Sequence, residues 1–290
     1  MSNAFARGTL KIPWTSPEVK NNATVGRCVV LIPVYKNVER LSKFEKKSIE
    51  RVISILGEKY ELMLLCGKSF NTNEYNEHFG YDFSYYKCND DFFKSQKSYS
   101  DLCEKYQFYE TLSEYEYMLI YQPDAWIFED RLEHFINLGR DYIGSVHTLR
   151  TNGTNGKVGN GGFSLRKISK FAEVCKKTDF EQFRYTTYED CVFTMLLKQE
   201  FDIATLEEGF DFGWQENPQA AFSITKKLPM GCHNPMRNNW RFWSEHIKLA
   251  DEPFSEEKMK VISGAESVTI RPVYNKPLIH KPKKLISRPI

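Results

Sequence analysis

The chain has 290 residues, 41% hydrophobic and 14% aromatic with 16 Tyr and 21 Phe, so it can bury a substantial core and is unlike a disordered chain. Residues 271–290 carry six Lys/Arg and no acid, which leaves 34 basic against 38 acidic residues in 1–270; that body of net charge −4 excludes nucleic-acid binding on bulk charge. The seven cysteines, at 28, 66, 88, 103, 175, 191 and 232, form no CxxC pair and read as small buried hydrophobes of a reducing compartment, neither a disulfide framework nor a zinc site.

Residues 1–26 are polar and irregular, with Pro13 and Pro17 limiting helix, and form an N-terminal extension. "RCVVLIPVY" (27–35) is an almost continuous apolar, β-branched run ended by Pro33, as in a strand buried on both faces. Leu41, Phe44, Ile49, Val52, Ile53 and Leu56 recur at helical spacing, and Gly57 closes the predicted helix. Strands are expected at 60–67 and, more exposed, at 81–87. Residues 98–113 read as one helix leading into "EYMLIYQPDAWIF" (116–128), a central strand that stops at Pro123. A helix near 130–138, a strand at 141–146, a glycine loop in "KVGNGGFSLRK" (157–167), and helices over 164–177 and 188–200 follow. Strands alternating with helices predict an α/β fold with a mostly parallel sheet flanked by helices. Beyond residue 200 the alternation fades, so the reading is one domain over 27–250 with an irregular C-terminal part, then an extension at 251–290. No secretory signal pattern is present and the longest apolar runs are too short to span a bilayer, which points to a cytoplasmic protein.

In such sheets ligands bind at the carboxyl ends of the strands, and four places there stand out. In "PVYKN" (33–37), Pro33 and Val34 lead to a ring, Tyr35, and a cation, Lys36, that could hold a nucleobase and its phosphate; the plain alternative is a turn capped by Asn37. Gln122 and Asp124 follow the central strand, where a carboxylate is costly unless hydrated, paired or bound to metal. Asn160, Gly161 and Gly162 offer backbone to a ligand, although the run matches neither the P-loop nor the dinucleotide fingerprint. In "TTYEDCVF", Thr186 and Glu189 have capping-box spacing, which leaves Asp190 as the spare carboxylate, fit either for a general base or for helix stabilisation. His233, in "LPMGCHNP", would need a carboxylate from elsewhere to bind a metal, and Asp124 is the candidate.

Taken in order, these elements resemble the GT-A class of nucleotide-sugar glycosyltransferases. More narrowly, "VVLIPVYKN", "LIYQPDA", "DYIGS", "VGNGGFSLRK" and "YEDCVF" resemble a family of largely uncharacterised glycosyltransferase-like proteins of bacteria and large viruses, over about residues 27–235. The resemblance implies a GT-A-like sheet and transfer of a sugar from a nucleotide donor, UDP favoured, to a glycan or lipid-linked hydroxyl acceptor. It implies donor binding by residues 33–36, Gln122, Asp124, Asn160, Gly161, Gly162 and Arg166, and an ion, Mn²⁺ or Mg²⁺, held by Asp124 and His233. Only the last acid of the Asp-x-Asp motif survives in Gln122-Pro123-Asp124, which leaves a metal-independent alternative with Lys36 or Arg166 on the phosphates. The Glu189–Asp190 pair would be catalytic, Asp190 as the base of an inverting reaction. Glycan synthesis at the inner face of a membrane would suit the basic tail at 271–290, whose four prolines forbid a regular amphipathic helix. Trp214, Trp240 and Trp243 are candidate acceptor-stacking residues from composition alone. A sugar nucleotidyltransferase, which would want a Gly-rich loop after the first strand, and a non-catalytic carbohydrate-binding protein are the rival readings.

Overall fold

The computed structural model describes residues 12–22, 26–183 and 188–249. In chain order its strands and α-helices are β1 (Glu18–Lys20), β2 (Cys28–Pro33), α1 (Lys43–Leu56), β3 (Glu61–Gly67), α2 (Thr72–Phe79), β4 (Ser84–Cys88), α3 (Gln96–Cys103), α4 (Tyr106–Glu110) and β5 (Tyr117–Tyr121). There follow β6 (Ala125–Ile127), α5 (Leu132–Asn137), β7 (Tyr142–His147), β8 (Lys157–Lys167), α6 (Ile168–Lys177), α7 (Glu189–Cys191), α8 (Leu206–Phe212), β9 (Gly213–Trp214), α9 (Pro218–Thr225), β10 (Gly231–His233) and α10 (Trp240–Trp243).

All the strands join one sheet in the order β1-β4-β3-β2-β5-β8-β7-β9-β10-β6. Parallel pairing joins β4, β3, β2 and β5, and again β7, β9 and β10, so the expected mostly parallel α/β sheet is present. Antiparallel β8 separates the two parallel sets, and β1 and β6 close the edges. The continuous apolar runs are explained by burial on both faces: Val30, Ile32, Leu64 and Leu119 pack with α1 and α5, while Val29, Leu31, Met63, Met118 and Ile120 pack with α3, α4 and α6. Helix α1 starts with a capping box in which Ser42 accepts from the Glu45 N–H and Glu45 accepts from the Ser42 N–H.

Several expectations change. The helix over 98–113 is broken into α3 and α4, and that over 164–177 begins only at Ile168, because 164–167 stay paired in β8. The glycine loop is itself the long strand β8, since its residues hydrogen-bond on both sides, to β5 and to β7. The helix over 188–200 is a single α-turn followed by a π-helical turn at Val192–Leu196 and a 3₁₀ turn. Trp214 and Trp243 are buried in a third apolar cluster with Phe44, Trp126 and Phe242, so the two indoles are core and have no face to offer a sugar; Trp240 is half-buried. Six of the seven free cysteines are buried as expected and Cys191 is half-buried. Asn37 makes no side-chain cap; Glu74 accepts from the Val38 N–H instead. Thr186 and the basic tail lie outside the described residues. No helix among the described residues is long and apolar enough to cross a membrane.

One charged residue lies wholly inside the core. Arg166, on β8, has no exposed surface. Its guanidinium contacts Glu189 at 3.3 Å, donates to Tyr109 Oη at 3.3 Å and Ser164 Oγ at 3.2 Å, and lies over the rings of Tyr142, Phe171 and Phe193. Removing one partner of a buried pair leaves the other uncompensated, which typically costs about 3–5 kcal/mol. Arg166→Met and Glu189→Gln should each lose about that much in urea unfolding, whereas the double variant Arg166→Met/Glu189→Met should recover most of it. Single losses under about 1 kcal/mol, the size of an exposed pair, would contradict this role.

Candidate active site

Strand direction brings the chemistry to one edge. β2, β5, β7, β9 and β10 all run the same way, so Tyr35, Gln122, His147, Gln215 and His233 emerge near their carboxyl ends on one side of the sheet. After β2 the chain moves to β3 on one side, while β5 adds on the other, and a crevice opens where the order reverses. A cleft of about 360 Å³ occupies that crevice, lined by Pro33, Val34, Tyr35, Lys36, Gln122, Asp124, His233 and Arg237, and by Phe93, Gln96 and Tyr99 from α3 and the turn before it. Seven of the residues singled out in the sequence thus share one cavity. Tyr35 is 61% exposed on its rim, an exposed large hydrophobic side chain at the site.

At the floor, Asp124 Oδ1 lies 3.3 Å from His233 Nε2. Burial pushes the Asp124 carboxyl up, but His233, the residue's own backbone N–H and Arg237 outweigh it and hold the group below its ordinary range, so it stays ionised. The ring of His233 is clamped between two carboxamides, with Gln122 Oε1 3.1 Å from Nε2 and Gln215 Oε1 3.2 Å from Nδ1. An octahedral Mg²⁺ or Mn²⁺ with bonds of about 2.1 Å sets neighbouring ligands about 3 Å apart, so the carboxylate–imidazole pair fits one edge of such a shell. No cluster of three or more His, Cys, Asp or Glu forms among the described residues, so the remaining ligands would have to come from diphosphate and water.

The glycines serve the protein's own side chains. Between Gly144↔Ser164 and Ser145↔Asn160 the register slips, and Gly161–Phe163 bulge away from β7 while β5 keeps Phe163 paired with Tyr121. The Gly162 carbonyl accepts from the Gln122 N–H at 2.9 Å, and Asn160 Oδ1 accepts from the Gly162 N–H at 3.1 Å. A Cβ at Gly162 would overlap the His233 ring, and one at Gly161 would press on Arg166, Glu189 and Asp190. The Gly161 N–H also donates to Asp190 Oδ2 at 3.1 Å, and the Cys191 N–H to Oδ1 at 2.7 Å, so the carboxylate is fixed against the bulge. Two consecutive peptides therefore link the Asp190 carboxylate to the Asp124–His233 pair.

Other expected residues stand elsewhere. Glu189 is buried and accepts from Ser100 Oγ at 2.7 Å and from Arg166; burial and the adjoining Asp190 push its pKa up against the pull of Arg166. Asn160, Gly161, Gly162, Arg166, Glu189 and Asp190 do not line the cleft. Lys36 does, but Glu45 already pairs with it at 2.7 Å. Arg237, which sequence reasoning missed, lines the cleft with an exposed guanidinium that makes no side-chain hydrogen bond or close ion pair among the described residues, although its charge acts on Asp124. Its only sequence signal is a cation four positions after the strand-ending His233.

Residues 82–233, more than half of the chain and including Gln122–Asp124, the bulge and His233, match the model of a family described as protein of unknown function, DUF5672. The chain belongs to the DUF5672 family. No curated protein matches it. Among solved structures this DUF5672 chain is similar to a glycosyltransferase involved in glycosylation of the major capsid of PBCV-1, at 13% identity over 81% of this chain and 100% of that one, TM-score 0.41. It is similar also to the bifunctional glycosyltransferase WbbM (12%, 85% and 53%, TM-score 0.48) and to the galactosyltransferase LgtC, solved with donor and acceptor sugar analogues (11%, 81% and 95%, TM-score 0.46).

Because Gly162 leaves the room that the His233 ring fills, Gly162→Ala should expel the ring from between Gln122 and Gln215, at a cost of about 1–3 kcal/mol in stability. A crystal structure of the variant with the ring unmoved would refute this dependence.

Proposed function

We propose that the protein is a GT-A-type nucleotide-sugar glycosyltransferase with its donor in the β2/β5 crevice. The observation that carries this reading is the gathering, in one cleft, of an ionised Asp124 beside His233, a pair suited to a cation, and of the exposed guanidinium of Arg237, suited to an anion, in a space rimmed by an exposed ring. Tyr35 stacks the nucleobase, and Arg237, with Lys36 behind it, faces the diphosphate. Asp124 and His233 would hold Mn²⁺ or Mg²⁺, which when bound supplies charge that stabilises the departing diphosphate. The donor sugar then lies toward the bulge, with Asn160 at its edge.

Transfer follows from where the charges stand. The C1–O bond to the diphosphate breaks with its electron pair leaving on phosphate, and the acceptor oxygen forms the new bond to C1 from the opposite face. Its proton passes to Asp190, which the Gly161 N–H holds ready. Glu189 acts through Arg166 as the anchor of this segment, which makes it a positioning residue. UDP-sugars are the favoured donors and a glycan or lipid-linked hydroxyl the favoured acceptor.

The test is nucleotide release from a panel of nucleotide sugars with and without Mn²⁺. Asp190→Asn should lower turnover about 10²–10⁴-fold, the usual contribution of a general base, while UDP still raises the melting temperature. Asp124→Asn should abolish any stimulation by Mn²⁺. Unchanged turnover in Asp190→Asn would remove the base assignment. Pyrophosphate release from a nucleoside triphosphate and a sugar phosphate would replace the transferase with a nucleotidyltransferase.

A further inference from the structure

The edge that carries Asp124 also carries a histidine to which neither the cleft nor the sequence motifs gave a role. His147 ends β7, and its ring is half-buried. No hydrogen bond or ion pair holds that ring among the described residues. It pairs across the sheet with Lys157 of β8, so the two side chains share a face. The same face is covered by the segment that bears Asp190: a Cβ at Gly159, two residues along from Lys157, would meet Thr194, and one at Gly161 would meet Asp190 Cβ at 3.2 Å. Asp190, Glu216 and Lys157 are the charged groups that act on the ring. Burial is the largest influence and keeps the imidazole neutral at physiological pH, with both carboxylates pulling the other way.

The next residue is held in an unusual conformation. Thr148 has φ of 57°, rare for a β-branched residue, and such strain persists only where surrounding bonds over-determine it. Here the Thr148 N–H donates to Glu216 Oε2 at 2.8 Å and its hydroxyl to the Asn155 carbonyl at 2.9 Å. Glu216 directly follows Gln215, the residue that holds His233. One short connection thus fixes the end of β7 and the metal-side histidine together.

We propose that His147 is an acceptor-binding catalytic residue, its imidazole holding the acceptor hydroxyl against the Asp190 carboxylate. This rests on the glycosyltransferase reading of Asp190 and extends it to the far side of the glycine bulge. Both oxygens of Asp190 already accept backbone N–H groups, so the carboxylate can take the proton but cannot by itself set the direction from which the hydroxyl arrives. A neutral imidazole, with one donor and one acceptor nitrogen, supplies that second contact.

The experiment has two arms on the full chain. In the first, the histidine rings are titrated by NMR, with His147 assigned by its loss in His147→Gln, in wild type and in Asp190→Asn. Removing the carboxylate, which favours the charged ring, should move the His147 midpoint down. A midpoint indifferent to Asp190→Asn would overturn the shared site, whatever the activity. In the second, UDP affinity and nucleotide release from a UDP-sugar are compared between wild type and His147→Gln. The proposal expects UDP affinity within about twofold and turnover lowered at least about tenfold, the lower reach of acid–base and orientation effects. Turnover unchanged with UDP bound would overturn the proposal. Wild type that binds no UDP would instead overturn the donor reading, and the acceptor role with it, so the two failures are told apart.

Discussion

A guanidinium with no exposed surface has to be neutralised by a partner equally withdrawn from water, and at Arg166 that partner is Glu189. The pairing fastens a helical turn of a single residue triplet to the middle of the sheet, although the backbone around it is too short and irregular to be stable alone. Asp190 is the next residue, so its carboxylate is carried to the Gly161 N–H by the same attachment. Ser100 on α3 ties the other Glu189 oxygen to the wall that also carries Gln96 and Tyr99 into the cleft. A charge with no ligand to bind thereby sets both halves of the candidate site.

The bulge in β8 divides those halves. On one side Gly162 gives up its side-chain volume to the His233 ring, which two glutamines hold beside Asp124. On the other, Gly161 and Gly159 yield to Asp190 and Thr194. The glycines thus meet protein side chains, and any sugar would meet what those side chains leave open. A donor would lie on the His233 side and an acceptor on the Asp190 and His147 side, with the sugar's C1 passing across the bulge.

Much of this was legible in the sequence, for identifiable reasons. Cys28–Pro33 and Tyr117–Tyr121 are apolar at every position because helices cover both faces, and that local pattern places β2 and β5 correctly. Knowing that ligands gather at their carboxyl ends then picks out residues 33–36 and Gln122–Asp124. Asp124 and His233 were also matched across a long separation, but most of what failed was decided at such distances. Glycines suggested a loop at 157–167, whereas β5 and β7 recruit them into a strand from tens of residues away. Arg166 looked like a phosphate ligand because nothing local reveals Glu189, 23 positions on, as its partner. Trp214 and Trp243 read as sugar platforms by composition, but large rings are as useful to a core, and the third apolar cluster claims them. Arg237 had no motif at all; only its place on the cleft wall, with Lys36 already paired to Glu45, makes it the available cation.

The central claim is that nucleotide diphosphate and a divalent ion meet between Asp124, His233 and Arg237. The most direct measurement is an anomalous difference map, recorded at the manganese edge, from crystals soaked in Mn²⁺ and UDP. The account predicts one peak at about 2.1 Å from both Asp124 Oδ1 and His233 Nε2, with the diphosphate bridging it to Arg237 and the base against Tyr35. Manganese or UDP seated anywhere else, with that pair bare, would contradict it.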